Sequence, residues 1–194
     1  MNKGKQITHI FFDIDFTLVN TDELHRHIIS NILHKPSQFP HTANSLFQFF
    51  STPPGTNSVP LFRGTWLDPA EYKKSMYPDV LPALQSMTIM FQLGIFSQSR
   101  SPLQRLKIEL SGLSSFFRKD LIFIAPHKWS VAKKVLPTLG LEKVAVIDDR
   151  IDICNQAAKL GVQSFLIDRE NNKIAPKNTI GIQSLTEILT HITS

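Results

Sequence analysis

Cysteine is almost absent. Cys154 stands alone in 194 residues, so no internal disulfide can form and nothing ties the chain to an oxidising compartment. Long apolar runs are absent too. No window approaches the roughly 20 residues of a membrane span. The apolar run after Lys3 and Lys5 is cut by Asp13 and Asp15, so no signal peptide is expected and a cytoplasmic protein is the default. The formal charge is +5 and the pI is about 9.4. That charge suits an anionic substrate, and weak nucleic-acid attraction too, but no five basic residues run together, which argues against a nucleic-acid surface. Internal repeats and low-complexity tracts are missing. What remains is ordinary: 42% hydrophobic and 19% charged residues, enough to bury the core of one domain, or of one domain carrying an insert.

The stretch around which the rest is organised is Phe11-Phe12-Asp13-Ile14-Asp15-Phe16-Thr17-Leu18. An apolar, β-branched run leads into it, so a buried strand is expected to end in two carboxylates two residues apart. Side chains alternate along a strand, which would put Asp13 and Asp15 on one side. Two such acids repel unless something neutralises them, and Mg2+ takes oxygen ligands. Thr17 adds a hydroxyl. Asp is also common where a strand simply runs into a polar turn, and this stretch alone leaves both readings open.

Along the chain, Asn20-Thr21-Asp22-Glu23 opens a helix that carries Leu24, Ile28, Ile29, Ile32 and Leu33 toward Pro36. His25, His27 and His34 read as surface groups. Pro-rich sequence then surrounds the apolar cluster Leu46 to Phe50, and Asp68-Pro69-Ala70-Glu71 opens a short helix. Residues 21–76 are expected to form a small, mostly helical cap insert with its own cluster of Phe47, Phe49, Phe50, Phe62 and Trp66. Arg63, Lys73 and Lys74 read as solvated surface. Residues 1–20 and 77–194 form the core domain.

From Tyr77 the pattern alternates. Asp79 to Met87 is a helix, and Ile89 to Phe96 a strand ending in Ser97-Gln98. Ser101-Pro102-Leu103-Gln104 starts a helix through a capping box, and Leu121 to Ile124 is a strand. Ser130 opens a helix closed by Gly140, and Val144 to Ile147 is a strand ending in Asp148-Asp149. Ile151 to Leu160 is a helix stopped by Gly161, and Val162 to Ile167 is a fifth strand. Ser184-Leu185-Thr186-Glu187 opens a last helix. Such alternation predicts an α/β fold, a Rossmann-like parallel sheet flanked by helices. Chemistry gathers at the carboxyl ends of such strands. Asp13, Ser97, Lys128 and Asp148 each lie at or just after a different strand end.

Against a phosphate monoester these groups have complementary uses. A carboxylate can be the nucleophile, and a second can protonate the leaving oxygen. Mg2+ would screen the acids, and a hydroxyl with an ammonium would hold the phosphoryl oxygens.

The set resembles the haloacid dehalogenase superfamily, whose members carry four short motifs at strand ends. Asp13-Ile14-Asp15-Phe16-Thr17 is similar to its DxDxT motif, Ile95-Phe96-Ser97 to the second, Lys128 to the third-motif lysine, and Val146-Ile147-Asp148-Asp149 to the acidic fourth. The resemblance implies Asp13 as nucleophile and Asp15 as general acid/base. It implies Ser97 and Lys128 as the phosphoryl-binding pair, with Thr17 and Gln98 beside the substrate. Asp13, Asp148, Asp149 and the Asp15 carbonyl would hold Mg2+. Related dehalogenases and ion pumps lack an acid at the place of Asp15, so a phosphatase of a small phosphorylated metabolite is implied, with mutase or phosphotransferase action next, its insert matching the family's first type of cap. Two departures stand out. Phe16 occupies a position where most small-molecule phosphatases have Gly, although an aromatic occurs in the magnesium-dependent phosphatase branch. Asp152 competes with Asp149 as the partner of Asp148. His127, beside Lys128, reads as a loop residue. The alternatives are a phosphatase of nucleic-acid ends or of a phosphoprotein, and a non-catalytic binding module on the same fold; substrate identity and oligomeric state stay open.

Overall fold

Strand β1 (His9–Phe12) is hydrophobic on both faces, and a strand of that kind needs helices above and below it. In the computed structural model, which describes residues 6–34, 69–99 and 103–192 and only the helical backbone of 28–34, it has them. After β1 come α1 (Thr21–His34), α2 (Pro69–Lys74), α3 (Val80–Met87), β2 (Gln92–Gln98) and α4 (Leu103–Leu110). Then follow β3 (Ile122–Ala125), α5 (Lys128–Leu139), β4 (Val144–Asp148), α6 (Ile151–Leu160), β5 (Gln163–Ile167), β6 (Thr179–Ile182) and α7 (Ile188–Ile192). All six strands are parallel, in the order β3-β2-β1-β4-β5-β6. The strand order reverses between β1 and β4. At such a reversal the flanking crossovers diverge and leave a crevice at the carboxyl ends.

The period of two sorts the core into layers. Ile10, Phe12, Ile95 and Ile147 pack with Leu24, Val80, Leu84, Met87, Ile108 and Ile188, from α1, α3, α4 and α7. Phe11, Phe96, Val144 and Val146 face the other way, against Ala132 and Leu136 of α5 and Ala157 of α6. Phe11 meets Phe96 edge-on at 5.8 Å, a favoured aromatic geometry. Gly94 lies opposite Phe11 across the β1–β2 pair. A Cβ there would fall 2.6 Å from the Phe11 ring and 2.7 Å from the Leu121 carbonyl oxygen, so only glycine fits. Cys154 on α6 is fully buried, its thiol near the carbonyls of Asp148 (3.5 Å) and Phe165 (3.4 Å). Burial pushes that thiol up to about 12.

The parallel α/β sheet is as the alternation predicts, with shifts at the element ends. The strand expected at Ile89–Phe96 is Gln92–Gln98; residues 88–90 turn instead, leaving Ile89 84% exposed. Ser97 therefore lies inside the strand rather than beyond it. Helix α5 begins at Lys128, two residues before Ser130, so the lysine sits in its first turn. Strand β6 goes unmarked in the sequence reading. It has four residues, one of them Gly181. Ser184 and Glu187 do form a capping box, at a single 3-10 turn leading into α7.

Much of the expected insert, including Phe47, Phe49, Phe50, Phe62, Arg63 and Trp66, lies outside the described residues, as do Ser101 and Pro102. Within the described part, Leu24 and Tyr72 are buried in the main core and Met76 bridges to Val19. Lys73 and Lys74 are exposed, Lys74 pairing with Glu71 at 3.2 Å. His27 pairs with Glu71 as well, at 3.2 Å. Among the described residues no helix is long and apolar enough to cross a membrane.

Candidate active site

The register of β1 against β4 aligns Phe12 with Ile147, and the Asp13 amide donates to the Ile147 carbonyl at 3.0 Å. Asp13 and Asp148 are thereby brought level at the reversal of strand order. Asp149 follows, and one carboxylate oxygen from each of Asp13, Asp148 and Asp149 lies within 4.8 Å of the others. Three acids so close would repel strongly, and burial adds to the cost of ionising them. Burial raises Asp13 above the ordinary carboxylate value, with Asp15 adding to the rise and Lys128 opposing it. Burial and then Asp13 push Asp148 up to about 7, again against Lys128. Asp149 is raised by burial and by Asp13.

Lys128 sits in this negative field with 1% of its surface exposed. Its ammonium donates to Asp148 Oδ2 at 2.5 Å and lies 3.2 Å from Asp13 Oδ1 as an ion pair without hydrogen-bond geometry. Burial alone would lower the lysine, but Asp13 and Asp148 more than offset that and hold it protonated. Asp148 Oδ1 accepts from the Arg150 amide at 3.0 Å, which sets the plane of the carboxylate. Asp13 Oδ1 is buried with no hydrogen-bond donor among the described residues.

That orphaned oxygen, within an all-carboxylate donor set, fits a hard divalent cation. Asp13, Asp148 and Asp149 are the residues that would hold it. Asp152 is elsewhere: exposed in the first turn of α6, it takes a two-pronged grip from Arg150, at 3.1 and 2.8 Å.

The Asp15 carboxylate does not join the three. Its Oδ1 accepts from Thr21 Oγ1 at 2.5 Å and from the Lys107 ammonium, and its Oδ2 accepts from Gln104 Nε2 at 2.6 Å. Burial would raise Asp15, but Lys107, Thr21 and Gln104 override it and hold the group below the ordinary value. Ser97 is buried, and its Oγ accepts from the same Gln104 nitrogen at 3.1 Å. Thr17 is fully buried. Its Oγ1 finds no partner among the described residues, while its carbonyl accepts from Arg169 at 2.7 Å. Gln98 is at the exposed rim, where its Oε1 accepts from Arg150 at 3.3 Å. His127 is exposed too, as the N-cap of α5.

Phe16 stands in left-handed backbone, at φ +55, with 36% of its surface exposed. A bulky residue pays about 1–2 kcal/mol there, and glycine would pay nothing, which accounts physically for the glycine that the resemblance leads one to expect. Phe16 edges a cavity of about 230 Å³, lined also by Tyr77, Asp149, Ile167, Asp168, Arg169, Glu170 and Lys173. Lys173 donates to the Asp149 carbonyl at 2.8 Å and lies 3.6 Å from its carboxylate.

Gln104, Lys107, Lys173 and Arg169 are the residues that motif reading misses. For the first two a signal exists. Gln104, Lys107, Ile108 and Ser111 recur at the inward spacing of one helix face, and all four are buried. Polar groups on an inward stripe need partners inside. Gln104, expected to close a capping box, instead points its amide at Asp15 and Ser97.

Sheet order, crevice and acidic cluster together give this chain the fold of the haloacid dehalogenase-like hydrolases. Solved structures bear that out. The chain superposes on the HAD phosphatase of Thermococcus onnurineus with a TM-score of 0.64 at 20% identity, over 96% of this chain and 98% of the other. It superposes on YfnB of Bacillus subtilis, described as a HAD-hydrolase and solved with magnesium bound, with a TM-score of 0.66 at 14% identity, over 97% and 100%. The 2-haloacid dehalogenase of Pseudomonas syringae pv. Tomato gives 0.57 at 13%, over 96% and 98%. At these identities the likeness carries the fold and leaves the reaction to the residues. No protein-family model and no curated protein matches the sequence.

Proposed function

We propose that this chain is a magnesium-dependent phosphatase of the haloacid dehalogenase superfamily, hydrolysing the monoester of a small phosphorylated metabolite. The observation that carries the reading is the meeting of Asp13, Asp148 and Asp149 around Lys128 at the reversal of strand order. A carboxylate oxygen of Asp13 attacks phosphorus, and the bond from phosphorus to the ester oxygen breaks. The departing oxygen takes a proton from Asp15, which enters this step in its carboxylic acid form although Lys107, Thr21 and Gln104 favour the carboxylate. Water then attacks the aspartyl phosphate and loses a proton to Asp15. Cleavage of the acyl-phosphate bond releases phosphate and restores Asp13. Ser97, Lys128 and the Thr17 hydroxyl hold phosphoryl oxygens as charge shifts among them, with Gln98 at the rim. Asp13, Asp148, Asp149 and the Asp15 carbonyl would hold magnesium, which would supply charge screening between carboxylates and substrate.

Asp15 separates this reading from dehalogenation, which forms no alkoxide to protonate. A cytoplasmic location, the division into a core and a cap over residues 21–76, and a substrate that is neither nucleic acid nor membrane belong to the same proposal. The test is phosphate release from an aryl phosphate with magnesium, lost with EDTA and with Asp13→Asn. A wild-type protein inert toward sugar phosphates, nucleotides and phospho-amino acids alike would overturn it.

A further inference from the structure

Lys107 and Gln104 lie one helical turn apart on α4, both 2% exposed. Among the described residues, the carboxylate partner of Lys107 is Asp15. Burying an ammonium is costly before its partner returns anything, and an apolar pair filling the same space is often at least as stable as a buried ion pair. Gln104 is a second poor bargain for stability alone. Its single nitrogen serves both Asp15 Oδ2 and Ser97 Oγ, while its Oε1 is buried with no hydrogen-bond partner among the described residues. Such an orphan is destabilising, because the group loses its water and gains no partner. A fold gains little from either group; a carboxylate that must be aimed gains from both.

We infer that Lys107 and Gln104 are positioning residues that fix the Asp15 carboxylate for proton transfer and tie it to Ser97, a role that rests on the phosphatase reading above. A carboxylate oxygen offers two lone pairs in its plane. Oδ1 has both engaged, by Lys107 and by Thr21. Oδ2 is engaged once, by Gln104, so Oδ2 is the oxygen left to give or take a proton. Gln104 is the bridge that sets its distance from Ser97, and Ser97 in turn fixes the phosphoryl group. One rigid helix thus holds the proton-transferring atom and the phosphoryl-binding hydroxyl in a single frame, which is the geometry general acid catalysis needs.

The test compares kcat/KM, which ends at P–O cleavage of the ester, for phenyl phosphate and 2,4-dinitrophenyl phosphate. The first leaving group needs a proton and the second does not. Lys107→Met and Gln104→Leu are expected to lose about 100-fold on phenyl phosphate and no more than a few-fold on the dinitrophenyl ester. Lys107→Arg, which keeps a buried cation, should recover most of the loss. Equal losses on both esters would mean a structural role and overturn the inference alone, as would no loss on either. Should Lys107→Met fail to fold, Gln104→Leu, which keeps the Lys107–Asp15 pair, decides the question. A wild-type enzyme inert toward both esters would overturn the phosphatase reading and this inference together.

Discussion

Asp79 offers the sharpest test of what holds the walls of the crevice together. Its carboxylate accepts from Arg169 Nη1 at 2.8 and 2.7 Å, from Ser184 Oγ at 2.9 Å and from the Leu185 amide at 2.7 Å. Arg169 also donates to the Thr17 carbonyl and stacks over the Tyr77 ring, 4.1 Å from its centre. One carboxylate therefore joins the start of α3, the loop after β5, the approach to α7 and the turn that carries the DxDxT residues. Asp79→Asn keeps the shape and removes the charge and one acceptor. Hydrogen bonds to charged groups contribute about 1.5–3 kcal/mol, and the asparagine oxygen retains part of that, so a loss of about 2 kcal/mol is expected. For a chain of this length that corresponds to a fall of about 4–8 °C in Tm.

Arg169, with Ser184 and Leu185, overrides the effect of burial and holds Asp79 below the ordinary carboxylate value. A depressed carboxylate contributes stability that is full above the unfolded-state value, near 3.9, and is lost as pH falls through the lower folded one. The gap between wild type and Asp79→Asn should stay constant from neutral pH down to about 5 and close below 4. Urea denaturation at pH 7, 5 and 3.5 measures it. A difference under about 0.5 kcal/mol at pH 7, the scale of ordinary surface substitutions, would refute the reasoning; so would a gap that stayed unchanged at pH 3.5.

Two further outcomes are expected. Phe16→Gly should hold or raise stability, by up to about 1 kcal/mol, since about 1–2 kcal/mol of relieved left-handed strain is offset by about 0.5–1 kcal/mol of glycine chain entropy, while changing the relative kcat/KM of bulky and small phosphate esters; a fall in stability with unchanged selectivity would deny Phe16 both roles. Asp149→Asn should weaken magnesium binding in a calorimetric titration by at least tenfold, and Asp152→Asn should leave it alone; the reverse would exchange the two assignments.

The parallel sheet was legible because the elements are short, alternating and punctuated. Gly161, for example, ends α6 in left-handed backbone at φ +90, and the sequence signals that stop directly. The carboxylates at the strand ends were legible because motif and strand coincide at Asp13 and Asp148. Strand β6 was not, since four residues containing a glycine carry almost no period and pair through the register of β5. Ile89 and Met90 mislead for a related reason: they are apolar and exposed, at 84% and 51%, and pattern reading takes an apolar residue for a buried one. Gln104 and Lys107 were hidden by the opposite assumption, that polar groups on a helix face water. Their spacing with Ile108 and Ser111 marks one helix face, and the fold supplies its target, a carboxylate 92 residues earlier than Lys107.

The solitary thiol of Cys154 has a practical side. A sulfhydryl pushed up to about 12 and fully enclosed forms almost no thiolate near neutrality, and thiolate is the species that alkylating reagents attack. The natural chain is thus already a blank background for thiol labelling. A cysteine placed at an exposed site such as Lys74, at the end of α2, would be the one reactive sulfur in the molecule. A fluorophore or spin label attached there would report on the stretch leading into the core without any native residue being removed first.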